Sequence, residues 1–238
     1  MNSRFADTLV IIPARGGSKG IPGKNIKLLG NKPLIVHSID LARELVDEGN
    51  ICLSTDSPEI ISTAEAYGLT VPFVRPEALA TDTAGSNSVL LHALQYYHNT
   101  GRKFRNILLL QPTSPFRTAQ QVNEAFGLYN PSLDMVVSVT ESSTNPYYNL
   151  FEENAEGYLG LSKPGNYVRR QDCPKVYEYN GAIYIINIES LKKMALHEFV
   201  KNKKYIMDKY SSVDLDQPED RMWAEYLLEK GLVKIHNA

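Results

Sequence analysis

The 238-residue chain carries 25 Lys or Arg against 27 Asp or Glu, a formal net charge of −2, and 43% of its residues are hydrophobic. This length and hydrophobic content suit one large α/β domain with a sizeable core. The charge balance excludes any general attraction to nucleic acid or to an anionic membrane, and two cysteines, Cys52 and Cys173, are too few for a disulfide scaffold.

Targeting and membrane signals are missing from the sequence. The first eight residues, MNSRFADT, lack a hydrophobic signal core, and no later segment approaches the roughly 20 apolar residues of a membrane span. We therefore expect a cytoplasmic protein with neither a membrane nor a nucleic-acid partner, and the cysteine usage fits the same reducing compartment.

A glycine-rich basic loop follows the first apolar run. That run, Leu9–Ile12, ends at Pro13, and residues 14–25 then read ARGGSKGIPGKN. Glycines let backbone N–H groups approach a ligand closely while lysine and arginine supply charge, so the loop favours binding of phosphate oxygens. The alternative is a merely flexible connection between a strand and a helix, although such a connection needs fewer glycines and cations.

Two known phosphate motifs do not fit this loop. A Walker motif requires glycine where Ser18 stands, and Ser or Thr after its lysine, whereas Asn25 follows Lys24. The dinucleotide-binding fingerprint fails because the glycines at 17, 20 and 23 are spaced by threes and do not open a helix.

Apolar runs alternate with amphipathic stretches over the first 140 residues. The predicted strands are 9–12, 51–54, 71–74, 107–110 and 135–139, and the predicted helices are 33–49, 59–67, 86–98 and 119–128. This alternation predicts an α/β fold with a mostly parallel sheet flanked by helices. Ligands bind such sheets at the carboxyl ends of the strands.

The pattern changes between residues 141 and 179, where Asn, Tyr, Pro and charged residues replace the regular periodicity. We interpret this stretch as an arm inserted into a single domain spanning 1–238. The sheet resumes at 181–186, Ser190 is predicted to cap a short helix, and 205–207 to form a short strand. A last helix opens at 217–220 and ends at Gly231.

Asp214 and Asp216 stand two residues apart in the extended stretch 213–216, so both carboxylates point to one face. Hard anionic oxygens on one face suit Mg²⁺ shared with substrate phosphates. The alternative is that Asp216 caps the last helix while Asp214 is solvated.

Three polar residues near strand ends are further candidates. Gln111 follows the strand 107–110 and Asn180 precedes the strand 181–186, where an amide can bind a hydroxyl or simply form a turn. Arg170 lies in the charged run 169–172, which is equally compatible with a solvated cluster. The five histidines have no neighbouring nucleophile or metal-ligand spacing, and we expect structural roles for them.

Four motifs together resemble the acylneuraminate cytidylyltransferases, which make CMP-activated sialic-type sugars from CTP. The motifs, in the family's order, are IIPARGGSKGIPGKN at 11–25, LLLQPTSPFR at 108–117, RRQDCPKVYEYNGAIY at 169–184 and VDLDQPED at 213–220. The resemblance implies a Rossmann-like nucleotidyltransferase fold with Mg²⁺ as cofactor. It also implies a homodimer in which the projecting arm, 141–179, reaches the partner's active site.

The resemblance further implies roles for individual residues. The triphosphate would be held by Arg15, Ser18, Lys24 and Asn25, and cytosine and ribose by Arg75, Ala80, Ser86 and Ser88. The sugar acid would face Gln111, Arg170, Asn180 and Tyr184, with Arg170 at its carboxylate because a guanidinium matches a carboxylate fork. The metal would be held by Asp214 and Asp216, which are catalytic together with Arg15 and Lys24.

The sugar and the exact transfer stay open at this point. In the arm, Pro146-Tyr147-Tyr148 stands where the sialic acid enzymes carry Pro-Leu-Lys, so legionaminic acid fits as well as N-acetylneuraminic acid. The expected reaction is in-line attack of the anomeric hydroxyl on the α-phosphorus of CTP. Rival functions are a Kdo-type cytidylyltransferase, a metal-dependent nucleotide-sugar glycosyltransferase and a non-catalytic CTP-binding regulator.

Overall fold

The computed structural model describes residues 3–81 and 84–235. Ten strands alternate with helices along these residues. The strands are β1 (Thr8–Pro13), β2 (Leu28–Leu29), β3 (Lys32–Pro33), β4 (Ile51–Ser54), β5 (Asn106–Leu109), β6 (Met135–Glu141), β7 (Phe151–Glu153), β8 (Leu159–Leu161), β9 (Tyr177–Asn187) and β10 (Asn202–Ile206). The α-helices are α1 (Leu34–Leu45), α2 (Pro58–Ala66), α3 (Ser86–Asn99), α4 (Ala119–Gly127), α5 (Ile188–Leu191) and α6 (Pro218–Glu229).

Six strands form the central sheet in the order β10-β6-β9-β5-β1-β4. β1 is parallel to β4 and to β5, and β6 is parallel to β10, whereas β9 runs antiparallel to both of its neighbours, β5 and β6. The predicted Rossmann-like, mostly parallel sheet with flanking helices is therefore confirmed.

β1 is buried in the core, and its residues alternate between two apolar layers. Val10 and Ile12 pack in the layer that contains α1 and α4, and Leu9 and Ile11 pack in the layer that contains α3. All four side chains are fully buried. Because helices cover both faces of the sheet, the strand is apolar throughout and does not alternate with polar residues.

Local capping explains where several helices begin. The Ser57 hydroxyl accepts the Ile60 N–H at 3.3 Å and starts α2. Thr118 and Gln121 form a capping box that starts α4. Side chains of this kind satisfy backbone donors that the first helical turn leaves unpaired.

Two predicted features need correction. Residues 71–74 form no sheet strand. Pro72 has no N–H donor, and the chain pairs beyond it, where Arg75 N–H donates to Thr55 O at 2.7 Å. α5 is capped by Asn187, which accepts from Glu189 N–H. Ser190 lies inside α5, and its hydroxyl donates to Asp134 Oδ1 at 2.7 Å.

The arm, residues 141–179, contains the antiparallel hairpin β7–β8. Its apolar side chains are exposed, with Tyr158 at 72% and Leu159 at 70%. The use of this arm in dimerisation stays a prediction.

No helix in the described parts of the chain is long and apolar enough to cross a membrane. His37 is buried with Nε2 3.0 Å from Leu29 O, and His236 lies outside the described residues.

Candidate active site

A cavity of about 520 Å³ opens at the carboxyl ends of β1 and β5, between the glycine-rich loop 14–25, the first turns of α3 and the segment 213–217 before α6. This volume lies in the usual range for small-molecule sites. The location is the one at which open α/β sheets bind ligands.

The cavity brings together most of the residues singled out in the sequence. Those that line it are Arg15, Ser18, Lys24, Asn25, Arg75, Ser86, Gln111, Asp214 and Asp216. The residues that do not line it are Ala80, Ser88, Arg170, Asn180 and Tyr184.

The conformation of the glycine-rich loop 14–25 is fixed by hydrogen bonds within the loop and to the residues that follow β4. The buried Asn25 donates from Nδ2 to Arg15 O at 3.1 Å, and Gly16 N–H donates to Asp56 Oδ1 at 3.0 Å. Gly23 has a φ of 65°, a left-handed conformation that glycine adopts without strain. The loop therefore presents Arg15 and Lys24 from a defined backbone.

The loop lies directly against the segment that carries the two aspartates. A Cβ atom at Gly20 would be 2.1 Å from Asp216 O, so only glycine permits this approach. Lys24 Nζ donates to Leu215 O at 2.6 Å and to Asp216 Oδ1 at 3.0 Å. Because the Asp216 side chain is 66% exposed, the ion pair contributes little to stability and can exchange partners readily.

Asp214 and Asp216 both line the cavity. Leu215, between them, is 2% exposed and packs with Phe116 and Ala224, so the two carboxylates are on the cavity side. Burial raises the pKa of Asp214, the nearby Asp216 carboxylate adds to the rise, and the Thr113 hydroxyl and Lys24 oppose it.

These carboxylates fit a hard divalent cation. Asp214 Oδ1 is buried and accepts no hydrogen bond within the described chain, and a buried carboxylate oxygen is costly without a charged or polar partner. The described residues contain no cluster of three or more His, Cys, Asp or Glu side chains suited to a metal. A pair of carboxylates is the protein ligand set that Mg²⁺ commonly uses beside substrate phosphates.

Another part of the cavity wall is apolar and contains one buried cation, Arg75. Leu79, Val89 and Leu90 line it beside Arg75, which is 5% exposed. Arg75 Nε donates to Ser54 Oγ at 3.0 Å and its Nη2 donates to Ser54 O. Burial lowers the pKa of this guanidinium. An apolar surface with a fixed donor suits a planar base.

Two residues predicted for the base and ribose lie just outside this wall. Ser88 Oγ donates to Gly85 O at 2.8 Å within the first turn of α3. Ala80 follows the short 3-10 helix Glu77–Leu79, and its neighbours Leu79 and Thr81 are the ones that line the cavity.

The residues predicted to face the sugar are divided between the cavity and its surroundings. Gln111 lines the cavity, and Tyr184 is close enough to Asp214 that the carboxylate adds to the burial effect that raises the pKa of the phenol to about 12. Asn180 is buried, donates to Ser212 Oγ at 2.9 Å and accepts from Ser138 Oγ at 2.5 Å. Its amide is thus used within the fold.

Arg170 is exposed on the arm, where its Nη2 donates to Ser142 O at 3.3 Å. The neighbouring Arg169 forms the ion pair with Asp172, at 2.8 Å. The assignment of Arg170 to a sugar carboxylate therefore stays a prediction, and in this chain it does not lie at the cavity.

Thr113, Gln217 and Arg117 have no role assigned from the sequence. Thr113 and Gln217 line the cavity, and Arg117 lies buried beneath it with only 1% exposure. One signal was available for Arg117, since it is the one charged residue in the run Gln111–Arg117.

A sequence profile described as "Cytidylyltransferase" matches residues 9–227. The chain belongs to this family. As a cytidylyltransferase it is a nucleotidyltransferase, and the resemblance inferred from the four motifs is confirmed.

Similar proteins carry related names. The chain is 34% identical over 226 residues to the CMP-N,N'-diacetyllegionaminic acid synthase of Legionella pneumophila, covering 93% of this chain and 96% of that protein. It is 37% identical over 219 residues to the N-acylneuraminate cytidylyltransferase of Escherichia coli, covering 90% of this chain but 49% of that protein. It thus spans about half the length of this second relative.

A solved structure of CMP:2-keto-3-deoxy-manno-octonic acid synthetase complexed with CTP matches this cytidylyltransferase with a TM-score of 0.68 at 18% identity. The match covers 95% of this chain and all of the other. A 4-diphosphocytidyl-2C-methyl-D-erythritol synthase from Anaerococcus prevotii matches with a TM-score of 0.62 at 16% identity, covering 93% and 98% of the two chains. At these identities the likeness concerns the fold alone.

Proposed function

We propose that this cytidylyltransferase transfers CMP from CTP to a nonulosonic acid and releases pyrophosphate. The observation that carries the proposal is that a cationic glycine-rich loop faces Asp214 and Asp216 across one cavity. The names of the relatives, which refer to legionaminic and acylneuraminic acids, support this substrate class.

The loop is the side of the site that neutralises the leaving group. Arg15 and Lys24 line the cavity from this loop and carry positive charge. Charge grows on pyrophosphate as the bond from the α-phosphorus to the bridging oxygen breaks, and prearranged cations stabilise it. Lys24 leaves Asp216 when it engages the triphosphate.

The two aspartates are proposed to hold Mg²⁺, because Asp214 presents a buried, unpartnered oxygen and Asp216 is accessible. When bound, the cation supplies charge neutralisation at the phosphate and lowers the pKa of a hydroxyl that reaches it. Because Leu215 between them is buried, the backbone that carries both carboxylates is fixed, and Asp216 becomes available to a cation once Lys24 leaves it.

The acid substrate is proposed to bind beside Gln111 and Tyr184, next to Asp214. Its anomeric oxygen forms a bond to the α-phosphorus while the hydroxyl proton leaves to solvent or to a neighbouring base. The reaction thus consists mainly of positioning and charge neutralisation.

We propose further that two chains associate through the arm. The hairpin β7–β8 exposes Phe151, Tyr158 and Leu159 by at least half of their surfaces, and exposed apolar groups so close together are typical of an interface. Light scattering coupled to gel filtration tests this proposal. A monomeric mass at micromolar concentration with full activity contradicts it.

A coupled pyrophosphate assay tests the proposed reaction. The purified protein is incubated with CTP, Mg²⁺ and one of four acids: N-acetylneuraminic, N,N'-diacetyllegionaminic, pseudaminic or Kdo. We expect Mg²⁺-dependent pyrophosphate release with one of the nine-carbon acids. Pyrophosphate release with Kdo alone contradicts the proposed substrate class. CTP binding with no pyrophosphate release in the presence of each of the four acids indicates a regulator. A nucleoside diphosphate sugar that donates its sugar in a parallel assay indicates a glycosyltransferase.

A further inference from the structure

Arg117 is a fully buried cation directly beneath the cavity. Its side chain is 1% exposed, and burial lowers the pKa of its guanidinium to about 9, an effect that Asp214 opposes. A buried charge does not stabilise a fold more than a well-packed apolar side chain does. Its presence at this place therefore calls for a reason other than packing.

The guanidinium holds both ends of one turn. Nη1 donates to Gln111 O at 2.7 Å and also to Ser114 O, while Nη2 donates to Ser38 Oγ on α1 at 2.6 Å. A rigid planar group with several donors can hold two carbonyls and a hydroxyl at once, and no other side chain has this capacity. The turn 111–114 is thereby fixed relative to α1.

The turn 111–114 also fixes the positions of Asp214 and Gln111, which the proposed function places beside the substrates. Leu215 N–H donates to Thr113 O at 2.9 Å, which ties the turn to the residue next to Asp214, and the nearby Thr113 hydroxyl lowers the pKa of the Asp214 carboxyl. The same turn carries Gln111, and Gln111 Oε1 and Asp214 Oδ2 both lie within 4 Å of the place that a Cβ at Gly181 would take. The carboxylate and the amide therefore keep their separation only while the turn keeps its shape.

We infer that Arg117 is a positioning residue of the transfer reaction, acting through the turn 111–114 on Asp214 and Gln111. The inference rests on the proposed function for the roles of these two residues. Arg117 is buried and does not line the cavity, so its removal acts through the turn and changes where the cation and the acid bind.

The test compares Arg117→Lys and Arg117→Met with the wild-type protein. Binding of Mn²⁺ in the presence of CTP, measured by titration calorimetry without any acid, is expected to weaken about 10-fold or more in both variants, because outer partners of metal ligands have effects of this size. The kcat is expected to fall by about 10- to 100-fold through displacement of the reacting groups. The KM for CTP is expected to stay within about twofold.

A stability control separates positioning from loss of fold. Asp134→Asn removes a buried carboxylate at the amino end of β6, away from the cavity, and is expected to lower the melting temperature while leaving Mn²⁺ binding and kcat unchanged. If Arg117→Met does not fold, the test rests on Arg117→Lys, because lysine keeps the positive charge but cannot donate to the Gln111 and Ser114 carbonyls in the same way.

The outcomes distinguish the two proposals. Mn²⁺ binding that is unchanged in Arg117→Lys, or a wild-type protein that binds no Mn²⁺ with CTP, overturns the positioning role. Weakened Mn²⁺ binding in a protein whose wild type releases no pyrophosphate with any acid overturns the proposed reaction and supports the positioning of Asp214. If both Arg117 variants lose kcat, bind CTP more weakly and unfold at a lower temperature together, the role of Arg117 is purely structural and the positioning role is overturned.

Discussion

Gly181 stands where β9 passes the cavity floor, and its substitution by alanine is the sharpest single test of the site's geometry. Its φ is 74°, and an added Cβ would lie 2.8 Å from Gln111 Oε1, 2.9 Å from Ser114 Oγ and 3.7 Å from Asp214 Oδ2. The first two distances are too short for real Cβ contacts. Gly181→Ala must therefore move Gln111 and the Ser114 hydroxyl, which donates to Asn180 O at 3.2 Å.

The cost of this substitution has two parts. A non-glycine residue in the left-handed region costs about 1–2 kcal/mol, and crowding in a packed interior costs about 1–3 kcal/mol more. We expect a loss of about 2–5 kcal/mol in the free energy of unfolding, a fall of roughly 5–15 °C in melting temperature for a chain of this size. We also expect kcat to fall by about 10-fold or more, because Gln111 is displaced beside Asp214.

Gly101→Ala is the matched control. Gly101 has a φ of 81°, but nothing lies within 4 Å of its Cβ position, so this variant has the backbone cost without the crowding. Thermal unfolding and the pyrophosphate assay are measured on both variants. Equal melting temperatures and equal kcat values for Gly181→Ala and Gly101→Ala would refute the reasoning.

Two further predictions concern contacts in the cavity, and a third concerns Asp134 at the amino end of β6, away from it. Gly20→Ala places a Cβ 2.1 Å from Asp216 O, so the loop must separate from the aspartate segment, and we expect the KM for CTP to rise by about 10-fold; an unchanged KM contradicts this packing. Asp216→Ala is expected to reduce turnover by about 100-fold or more while the circular dichroism spectrum stays that of the wild type; near-normal turnover contradicts the metal assignment. Asp134 accepts hydrogen bonds from Ser190 Oγ, Lys201 N–H and Val200 N–H, which lower its pKa. Because the folded pKa is below the unfolded one, near 4, its stabilisation is present above pH 4 and is lost as the pH falls through the folded pKa. We expect Asp134→Asn to be about 1 kcal/mol less stable at pH 7 and no less stable than the wild type well below pH 4, which urea unfolding at both pH values measures; a constant difference contradicts it.

The parts of the site that follow from strand ends could be predicted from the sequence. The loop after β1 and Gln111 after β5 lie at the carboxyl ends of neighbouring parallel strands, and such ends meet at one edge of the sheet. Asp214 and Asp216 could be placed on one face because side chains alternate along an extended chain.

Other features depend on tertiary contacts that no local pattern contains. The arginine in LLLQPTSPFR could point into solvent or into the core, and only its distant partner Ser38 settles the matter. Likewise the apolar run 71–74 has the composition of a strand, but the sheet ends at β4 and Pro72 cannot continue the pairing. Asn180 is held by Ser138 and Ser212, which are far from it in sequence.

The contact between Lys24 and Asp216 joins residues 192 positions apart. During synthesis the sheet strands β1 and β4 emerge early, whereas the aspartate segment and the helix α6 that packs behind it emerge almost last. A growing chain can therefore bury much of its core while the basic loop still has no carboxylates opposite it. For the same reason, a chain that ends before residue 213 keeps every strand of the sheet but has lost one wall of the cavity.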